Sequence, residues 1–170
     1  WVCTNGWMAL SPTASTTSAF AAFPTQSMPN DLLSPYWRNL SMNVGAIGRV
    51  YSLTKGTAPD RRFIVQWHTV PLSGGAEGQN NTFQIILWET SNAIEFRYGT
   101  VLADGGTPQF RAGNENAVAT IGNDFPGTSL GTGGAGVARL FLPTSGCPTI
   151  TGACCSGTSC TDTQTVFACQ

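Results

Sequence analysis

The chain has 170 residues, of which only 10% are charged, whereas an average soluble protein has roughly 25%. Its eight basic and nine acidic residues are scattered singly, so it has neither the basic stripe that tracks nucleic-acid phosphates nor a polybasic membrane patch. No apolar run approaches the roughly 20 residues that span a bilayer. We therefore expect a domain with a neutral polar surface, no nucleic-acid partner and no membrane insertion.

Apolar and polar residues alternate with a period of two along most of the chain, and no segment shows the 3.6-residue period of a helix. The clearest strand is 61–70, with Phe63, Val65 and Trp67 on one face and Ile64 on the other. In chain order, the predicted strands are 2–10, 47–53, 61–70, 82–90, 93–101, 117–121 and 137–142. Seven strands joined by polar turns predict an all-β fold, an antiparallel β-sandwich or jelly roll.

Two neighbouring strands differ in their patterning. Strand 93–101 alternates, with Phe96 predicted to point inward and Glu95 outward, which is typical of a sheet with one solvated face. Strand 82–90 has apolar residues on both faces, because Ile86 and Trp88 lie opposite Ile85. We therefore expect strand 82–90 to be central in its sheet and covered on both sides.

Two segments are predicted to be loops. Residues 11–39 are rich in Ser, Thr and Pro, and their prolines exclude a long helix. We expect this long loop to be packed by four aromatic residues, Phe20, Phe23, Tyr36 and Trp37. The glycine-rich segment 127–136 is predicted to be a flexible loop outside the core.

The cysteines are concentrated at one end of the chain. The six are Cys3, Cys147, Cys154, Cys155, Cys160 and Cys169. The tail spacing C-C-x4-C-x8-C matches neither a zinc site nor a redox C-x-x-C pair, so we expect disulfides and neither a metal nor a cofactor. Since adjacent cysteines rarely bond each other, Cys154 and Cys155 should each pair with Cys160 or Cys169, which leaves Cys147 for Cys3.

These disulfides would divide the chain into a β-sandwich domain, residues 1–145, and a small disulfide-rich tail, residues 146–170. In the loop-entropy model, closure between Cys155 and Cys169 is worth about 3 kcal/mol and closure between Cys3 and Cys147 nearer to about 5 kcal/mol.

The even cysteine count and low charge fit an oxidising, extracytoplasmic setting. Two triplets of the N-x-S/T type, beginning at Asn39 and Asn80, are candidate glycosylation sites there. The sequence therefore predicts an extracellular or cell-surface location.

Patterns that suggest catalysis lack the context that they require. Ser129 lies in a G-x-S-x-G match, but the nucleophile elbow needs a following helix and a later histidine, whereas the only histidine, His68, comes earlier. The acidic residues form neither a calcium-loop pattern nor an evident catalytic pair. We expect a non-enzymatic protein, with a serine hydrolase using Ser129 as the remote alternative.

Exposed aromatic residues suggest a different binding role. Trp37 and Trp88 could stack on sugar rings, so a carbohydrate-binding module is the main alternative. Against it, large aromatic residues of a sandwich more often lie in the core.

Several stretches together resemble a known module. The series CTNGWMAL, MPNDLLSPYWRNL, GTAPDRRFIVQW, TFQIILWETSNAIEFRYG, AVATIGN and VARLFLP is similar to a nidogen-like β-sandwich region of secreted bacterial proteins, over residues 1–142. The tail GACCSGTSCTDTQTVFAC resembles a small cysteine repeat of exported bacterial proteins. One departure concerns Arg38 and Asn39, which stand where relatives often carry two acidic residues.

The resemblance implies a non-catalytic structural or adhesive module of a bacterial surface protein, with a protein partner or a glycan. Relatives usually carry further strand sequence before the TNGW motif. We therefore expect an unpaired sheet edge near the N-terminus, which either a separately cleaved piece of the same precursor or a strand donated by a neighbouring copy could cover. The sequence thus favours self-association in a surface filament or layer.

Overall fold

The computed structural model describes residues 1–74, 80–102, 110–126 and 136–143, together with the backbone of two short strands in the tail. In this part of the chain the only helical element is a 3-10 turn, Val44–Ala46. The strands are β1 (Val2–Cys3), β2 (Trp7–Ala9), β3 (Leu32–Trp37), β4 (Arg49–Lys55), β5 (Arg62–Pro71), β6 (Asn80–Trp88), β7 (Ile94–Tyr98), β8 (Arg111–Glu115), β9 (Gly122–Pro126), β10 (Ala138–Phe141), β11 (Cys154–Ser156) and β12 (Ser159–Thr161).

Ten of these strands form two five-stranded antiparallel sheets. The first sheet has the order β1-β2-β3-β8-β9, and the second has the order β10-β7-β6-β5-β4. In the second sheet, β4 to β7 are consecutive along the chain, whereas the first sheet pairs strands from distant parts of the sequence. The tail strands β11 and β12 pair with each other.

The main core lies between the two sheets. Its fifteen buried members come from both sheets and include Tyr36 of β3 and Trp67 of β5. Trp67 stacks on Phe83 with ring centroids 5.1 Å apart, and Tyr36 lies 4.2 Å from Phe110. This packing of two inner faces confirms the predicted all-β antiparallel sandwich.

A second cluster covers the other face of the first sheet. It contains Trp7, Trp37 and Leu32 of the sheet and Phe23 of the segment that follows β2. The indole nitrogens of Trp7 and Trp37 both donate to the carbonyl oxygen of Thr17, at 3.0 and 3.3 Å. Residues 11–30, called the cover segment below, therefore form a third layer without regular secondary structure, packed by Phe20, Phe23 and Trp37 as expected, whereas Tyr36 lies in the main core instead.

The predicted loop 11–39 is too long, because it contains β3. All six residues of β3 are buried. A strand covered on both faces does not alternate, so its sequence gives no period-two signal. Pro35 also argues against a central strand, but the pairing of β3 with β8 shifts register between Ser34 and Trp37, an irregularity of the kind that accommodates proline.

The predicted strand 117–121 is wrong. These residues form the turn between β8 and β9, where Val118 and Ile121 are 68% and 72% exposed. The side-chain oxygen of Asn116 accepts hydrogen bonds from the backbone nitrogens of Thr120 and Ile121. Such an Asn-centred turn overrides the β propensity of the apolar residues that it carries.

The predicted strand 2–10 divides into the hairpin of β1 and β2. The break falls at Gly6, which has φ +80° and lies so close to β3 that an added Cβ would be 1.9 Å from the carbonyl oxygen of Tyr36. The other predicted strands are present with ends that differ by a few residues, and β6 is central in its sheet, as expected. Glu95 faces outward as predicted, but it is only 8% exposed.

Candidate functional site

The outer face of the second sheet, called the open face below, is a regular surface built by five strands. Its residues alternate with those that point into the core, such as Ile85 and Phe96. The strand registers arrange these residues in two adjacent rows. One row contains Leu140, Glu95, Ile86, Ile64 and Leu53, and the next contains Ala138, Arg97, Gln84, Gln66 and Tyr51.

Polar groups of the open face hold one another in place. Glu95 accepts hydrogen bonds from Arg97 Nε at 2.5 Å and from Trp88 Nε1 at 3.1 Å. The guanidinium carbon of Arg62 lies 4.9 Å from the centroid of the Trp88 ring. Because these contacts fix the side chains before any partner arrives, little conformational entropy would be lost when a partner binds here.

The apolar groups of the open face are most exposed toward β4. Tyr51 is 54% exposed and Leu53 is 59% exposed, while Ile86 in the centre of the sheet is 2% exposed. At the opposite side, Leu140 of β10 is 49% exposed. The apolar contact area available to a partner is therefore concentrated at the two margins of this sheet.

Among the described strands, β4 is an edge of the second sheet with a partner on one side only, and none of its seven residues is buried. The backbone hydrogen bonds from Glu89 to Arg61 and from Trp88 to Ala93 fix the alternation of hydrogen-bonding directions in this meander. The register of β4 with β5 carries this alternation over to β4. The backbone N–H and C=O groups of Val50, Ser52 and Thr54 therefore point away from β5, toward the open side of the edge.

The edges of the first sheet differ from β4. Strand β1 has only two residues, and Trp1 and Ala9 close its hairpin by backbone hydrogen bonds in both directions. Strand β9 ends at Pro126, and the cover segment reaches it through a hydrogen bond from Phe23 N to Asp124 Oδ1 at 3.1 Å. The expected open edge at the N-terminus therefore exists only as the short β1, and β4 offers a much longer one.

Two shallow clefts, each of about 330 Å³, lie on either side of Trp88. One is lined by Trp88, Ser91, Ala93, Glu95, Leu140 and Leu142. The other is lined by Thr54, Arg61, Phe63, Leu87, Trp88 and Glu89. In the second cleft, hydrogen bonds from the side chain and backbone of Arg61 lower the pKa of Glu89 to about 2, so this carboxylate stays ionised at physiological pH.

The two tryptophans predicted to stack on a ligand lie in different environments. Trp37 is 2% exposed and packs against Trp7 and Phe23, with centroids 6.5 and 5.6 Å away. Its prediction as a stacking residue is corrected, because a buried ring has no face free for a sugar. Trp88 is half-buried at the surface, with Arg62 over its ring.

His68 and Ser129 are not brought into a catalytic arrangement by any described contact. His68 is exposed, and its Nδ1 lies 3.3 Å from Gln66 Nε2. No group of three or more His, Cys, Asp or Glu side chains that could hold a metal occurs in the described ranges. Ser129 lies outside them.

The glycosylation triplets also differ from each other. Asn39 is exposed beside a cleft of about 400 Å³ that Arg38 and Ser73 also line. Asn80 is half-buried, and its side-chain oxygen is buried without a hydrogen-bond partner among the described atoms. Asn39 is thus the more accessible residue, and modification of either stays a prediction.

Cys3 is buried and forms no disulfide with a described residue, and burial raises the pKa of its thiol. Cys147, the expected partner of Cys3, lies outside the described residues. The same is true of Cys169 and of the predicted domain boundary between residues 145 and 146. The backbone of the tail hairpin places Cys155 opposite Cys160. The disulfide pairing stays a prediction, including the assignment of Cys154.

The open β4 edge was not anticipated from the sequence. Strand 47–53 was predicted, but its place at the margin of a sheet depends on pairing that the local sequence does not encode. A weak signal was present in the cations at its two ends, Arg49 and Lys55, since edge strands often carry such charges.

No helix among the described residues is long and apolar enough to cross a membrane.

Comparison with known proteins supplies one match. No curated protein and no solved structure matches the chain. A family model described as "NIDO related" matches residues 1–143. The chain therefore belongs to the NIDO-related family, and this part of it is a nidogen-like module of extracellular type.

Proposed function

We propose that the chain is a non-catalytic structural and adhesive module of a bacterial surface protein, and that it works as a repeating subunit of a surface filament or layer. The observation that supports this role is the β4 edge, which pairs with no described strand on its outer side, beside the exposed margin of the open face. Natural sandwich proteins normally shield a long edge strand, because its unpaired backbone groups recruit other strands. A long edge whose only charges stand at its two ends, Arg49 and Lys55, suits a molecule that associates through the uncharged middle of that edge.

The chemistry of the open face also favours a protein partner. Tyr51 and Leu53 are about half exposed next to a row of glutamines that bind each other, Gln84 Nε2 donating to Gln66 Oε1 at 2.6 Å. Apolar groups that flank a polar, hydrogen-bonded area resemble the composition of protein interfaces. Family membership adds the extracellular setting in which such a module meets other surface proteins.

The test is native isolation of the protein from the cell surface without denaturants. Electron microscopy and light scattering should show ordered assemblies that contain this chain. A monodisperse monomer in native material would overturn the repeating-subunit role. For the non-catalytic part, an active-site serine probe should leave the chain unlabelled, and a hydrolase activity that is lost in Ser129→Ala would contradict it.

Carbohydrate binding is the second candidate, and the observation that favours it is the position of Trp88 between two clefts. A partly exposed indole flanked by Arg62 and Glu95 offers an aromatic platform with hydrogen-bonding groups at its rim. A glycan array should then show binding that Trp88→Ala abolishes. Binding to no glycan at millimolar concentration would remove this candidate.

A further inference from the structure

Strand β4 has a nearly palindromic sequence. It reads Arg49-Val-Tyr-Ser-Leu-Thr-Lys55, so that cations occupy both ends, β-branched residues come next, and large apolar residues flank a central Ser52. When such a strand meets a second copy in antiparallel orientation, the five central residues each face one of their own chemical kind, and only the cations at the two ends oppose the pairing. This property singles out a second copy of the chain as the occupant of the edge.

The outward backbone groups restrict the register of such a pair. Val50, Ser52 and Thr54 carry them, so hydrogen-bonded pairs between copies must form among these three positions. Centring on Ser52 places Ser52 opposite Ser52 of the second copy and Val50 opposite Thr54, which satisfies all three outward positions. A shift by two residues satisfies fewer of them.

We propose that two copies of the chain pair antiparallel through β4, centred on Ser52, and so join their second sheets into one continuous ten-stranded sheet. This inference rests on the proposed structural role and names the contact through which it begins. In this register Tyr51 of each copy faces Leu53 of the other on the open face, which buries the most exposed apolar groups of β4.

The same register carries a built-in penalty. Arg49 of each copy lies opposite Lys55 of the other, and like charges directly opposite each other destabilise a strand pair. A single strand contact also buries less surface than the roughly 1,600 Å² of a standard stable interface. We therefore expect the isolated dimer to be weak and to tighten as salt screens the repulsion, and to become populated where copies are crowded on a surface.

Reversing the end charge is the decisive experiment. Lys55→Glu converts two repulsive pairs into two attractive ones, so sedimentation equilibrium should show dimer affinity about tenfold higher than in the parent chain, with the salt dependence reversed in sign. Lys55→Gln should fall between the two. Ile121→Glu, which adds an acidic group at the exposed turn between β8 and β9, is the control and should leave the affinity unchanged.

Two further variants test the backbone contact. Thr54→Pro removes an outward N–H and leaves the pairing of β4 with β5 intact, so it should lower dimer affinity at least tenfold while circular dichroism stays unchanged. If that variant misfolds, Leu53→Lys provides the same test by adding repulsion on the open face. Ser52→Cys should give a covalent dimer with a short bismaleimide, and Val118→Cys at the exposed turn should not.

Different results would contradict the β4 contact and the proposed structural role. If Lys55→Glu does not strengthen association, or if Ser52→Cys gives no cross-link beyond the parent chain, the β4 contact is wrong. Native assemblies that persist in Thr54→Pro would leave the structural role standing and overturn the β4 contact. A β4 dimer in solution with only monomers in native material would overturn the structural role instead.

Discussion

The outer faces of the two sheets differ in how far other parts of the chain cover them. The first sheet is covered by residues 11–30, so that its central strand β3 is buried at all six positions. The outer face of the second sheet is exposed at its two margins although Ile86 at its centre is buried, and none of the seven residues of its edge strand β4 is buried. A sheet covered on both faces can serve only as framework, whereas an exposed sheet with an open edge remains available for binding.

The cover segment shows how a polar loop can act as a layer. Thr17 accepts hydrogen bonds from two indoles through its carbonyl, and Asn5 reaches the segment through a hydrogen bond from Nδ2 to the carbonyl oxygen of Thr16 at 2.8 Å. Such contacts satisfy backbone groups that burial would otherwise leave unpaired. A segment rich in Ser and Thr can therefore cover a sheet while staying largely exposed itself, when aromatic residues anchor it.

The largest difference between the two sheets should appear on truncating a tryptophan from each outer face. Trp37→Ala should lower the free energy of unfolding by about 3 to 5 kcal/mol, because it leaves a cavity under the cover segment. Trp88→Ala, the matched variant on the open face, should cost less, since its ring is only partly buried and lies at the surface. Urea denaturation monitored by circular dichroism measures both, and equal losses would contradict the contrast.

Tyrosines on the two faces of the second sheet should also differ in how much their hydroxyl groups contribute to the free energy of unfolding. Tyr98 donates from its hydroxyl to the carbonyl oxygen of Pro35 at 2.8 Å across the core, and burial raises its pKa. Tyr98→Phe should cost about 1 to 3 kcal/mol by leaving that carbonyl unsatisfied. Tyr51→Phe on the open face is the control. A loss confined to Tyr51→Phe would reverse our assignment of the two faces.

Two carboxyl groups, one on each sheet, have pKa values shifted in opposite directions, so their contributions to stability should depend on pH in opposite ways. Hydrogen bonds from Arg61 lower the pKa of Glu89 on the second sheet from 4.5 to about 2, so its favourable contribution is present above pH 4.5 and is lost as pH falls toward 2. Burial raises the pKa of Glu115 on the first sheet, so its contribution favours folding below pH 4.5 and is lost as pH rises through the raised value.

Carbon-13 NMR titration of the side chains should therefore give a low midpoint for Glu89 and a high one for Glu115. Arg61→Gln should return the Glu89 midpoint toward 4.5 and leave the Glu115 midpoint in place. Coincident midpoints in the parent chain would show that the two environments are less different than their contacts indicate.

The smallest effect is expected at the open edge. Leu53→Thr replaces an exposed apolar residue by one with good β propensity, so the free energy of unfolding of the monomer should change by less than about 0.5 kcal/mol. Thermal unfolding at low protein concentration measures this. A large loss would mean that Leu53 already packs against part of the same chain.

Sequence reasoning succeeded where a strand faces water on one side. The alternation of 61–70 and 93–101 is visible because solvent selects polar residues at every second position, and both strands were predicted correctly. It failed at β3, where cover on both faces removes the alternation, and at 117–121, where Asn116 organises a turn. The open edge was missed because strand order depends on pairing between distant residues, which no local pattern records.

The two sheets also differ in when they can form. Strands β4 to β7 are joined by short connections and pair in sequence order, so their sheet needs only local loop closure. In the first sheet, Leu33 pairs with Asn114, and β3 has no partner on that side until β8 is available. We expect pulsed hydrogen exchange to protect β5 and β6 amides before those of β3. During this interval the aromatic strand β3 would be exposed to solvent. We therefore expect the unpaired strands of the first sheet, which is the better covered sheet in the folded protein, to be the most aggregation-prone part of the folding chain.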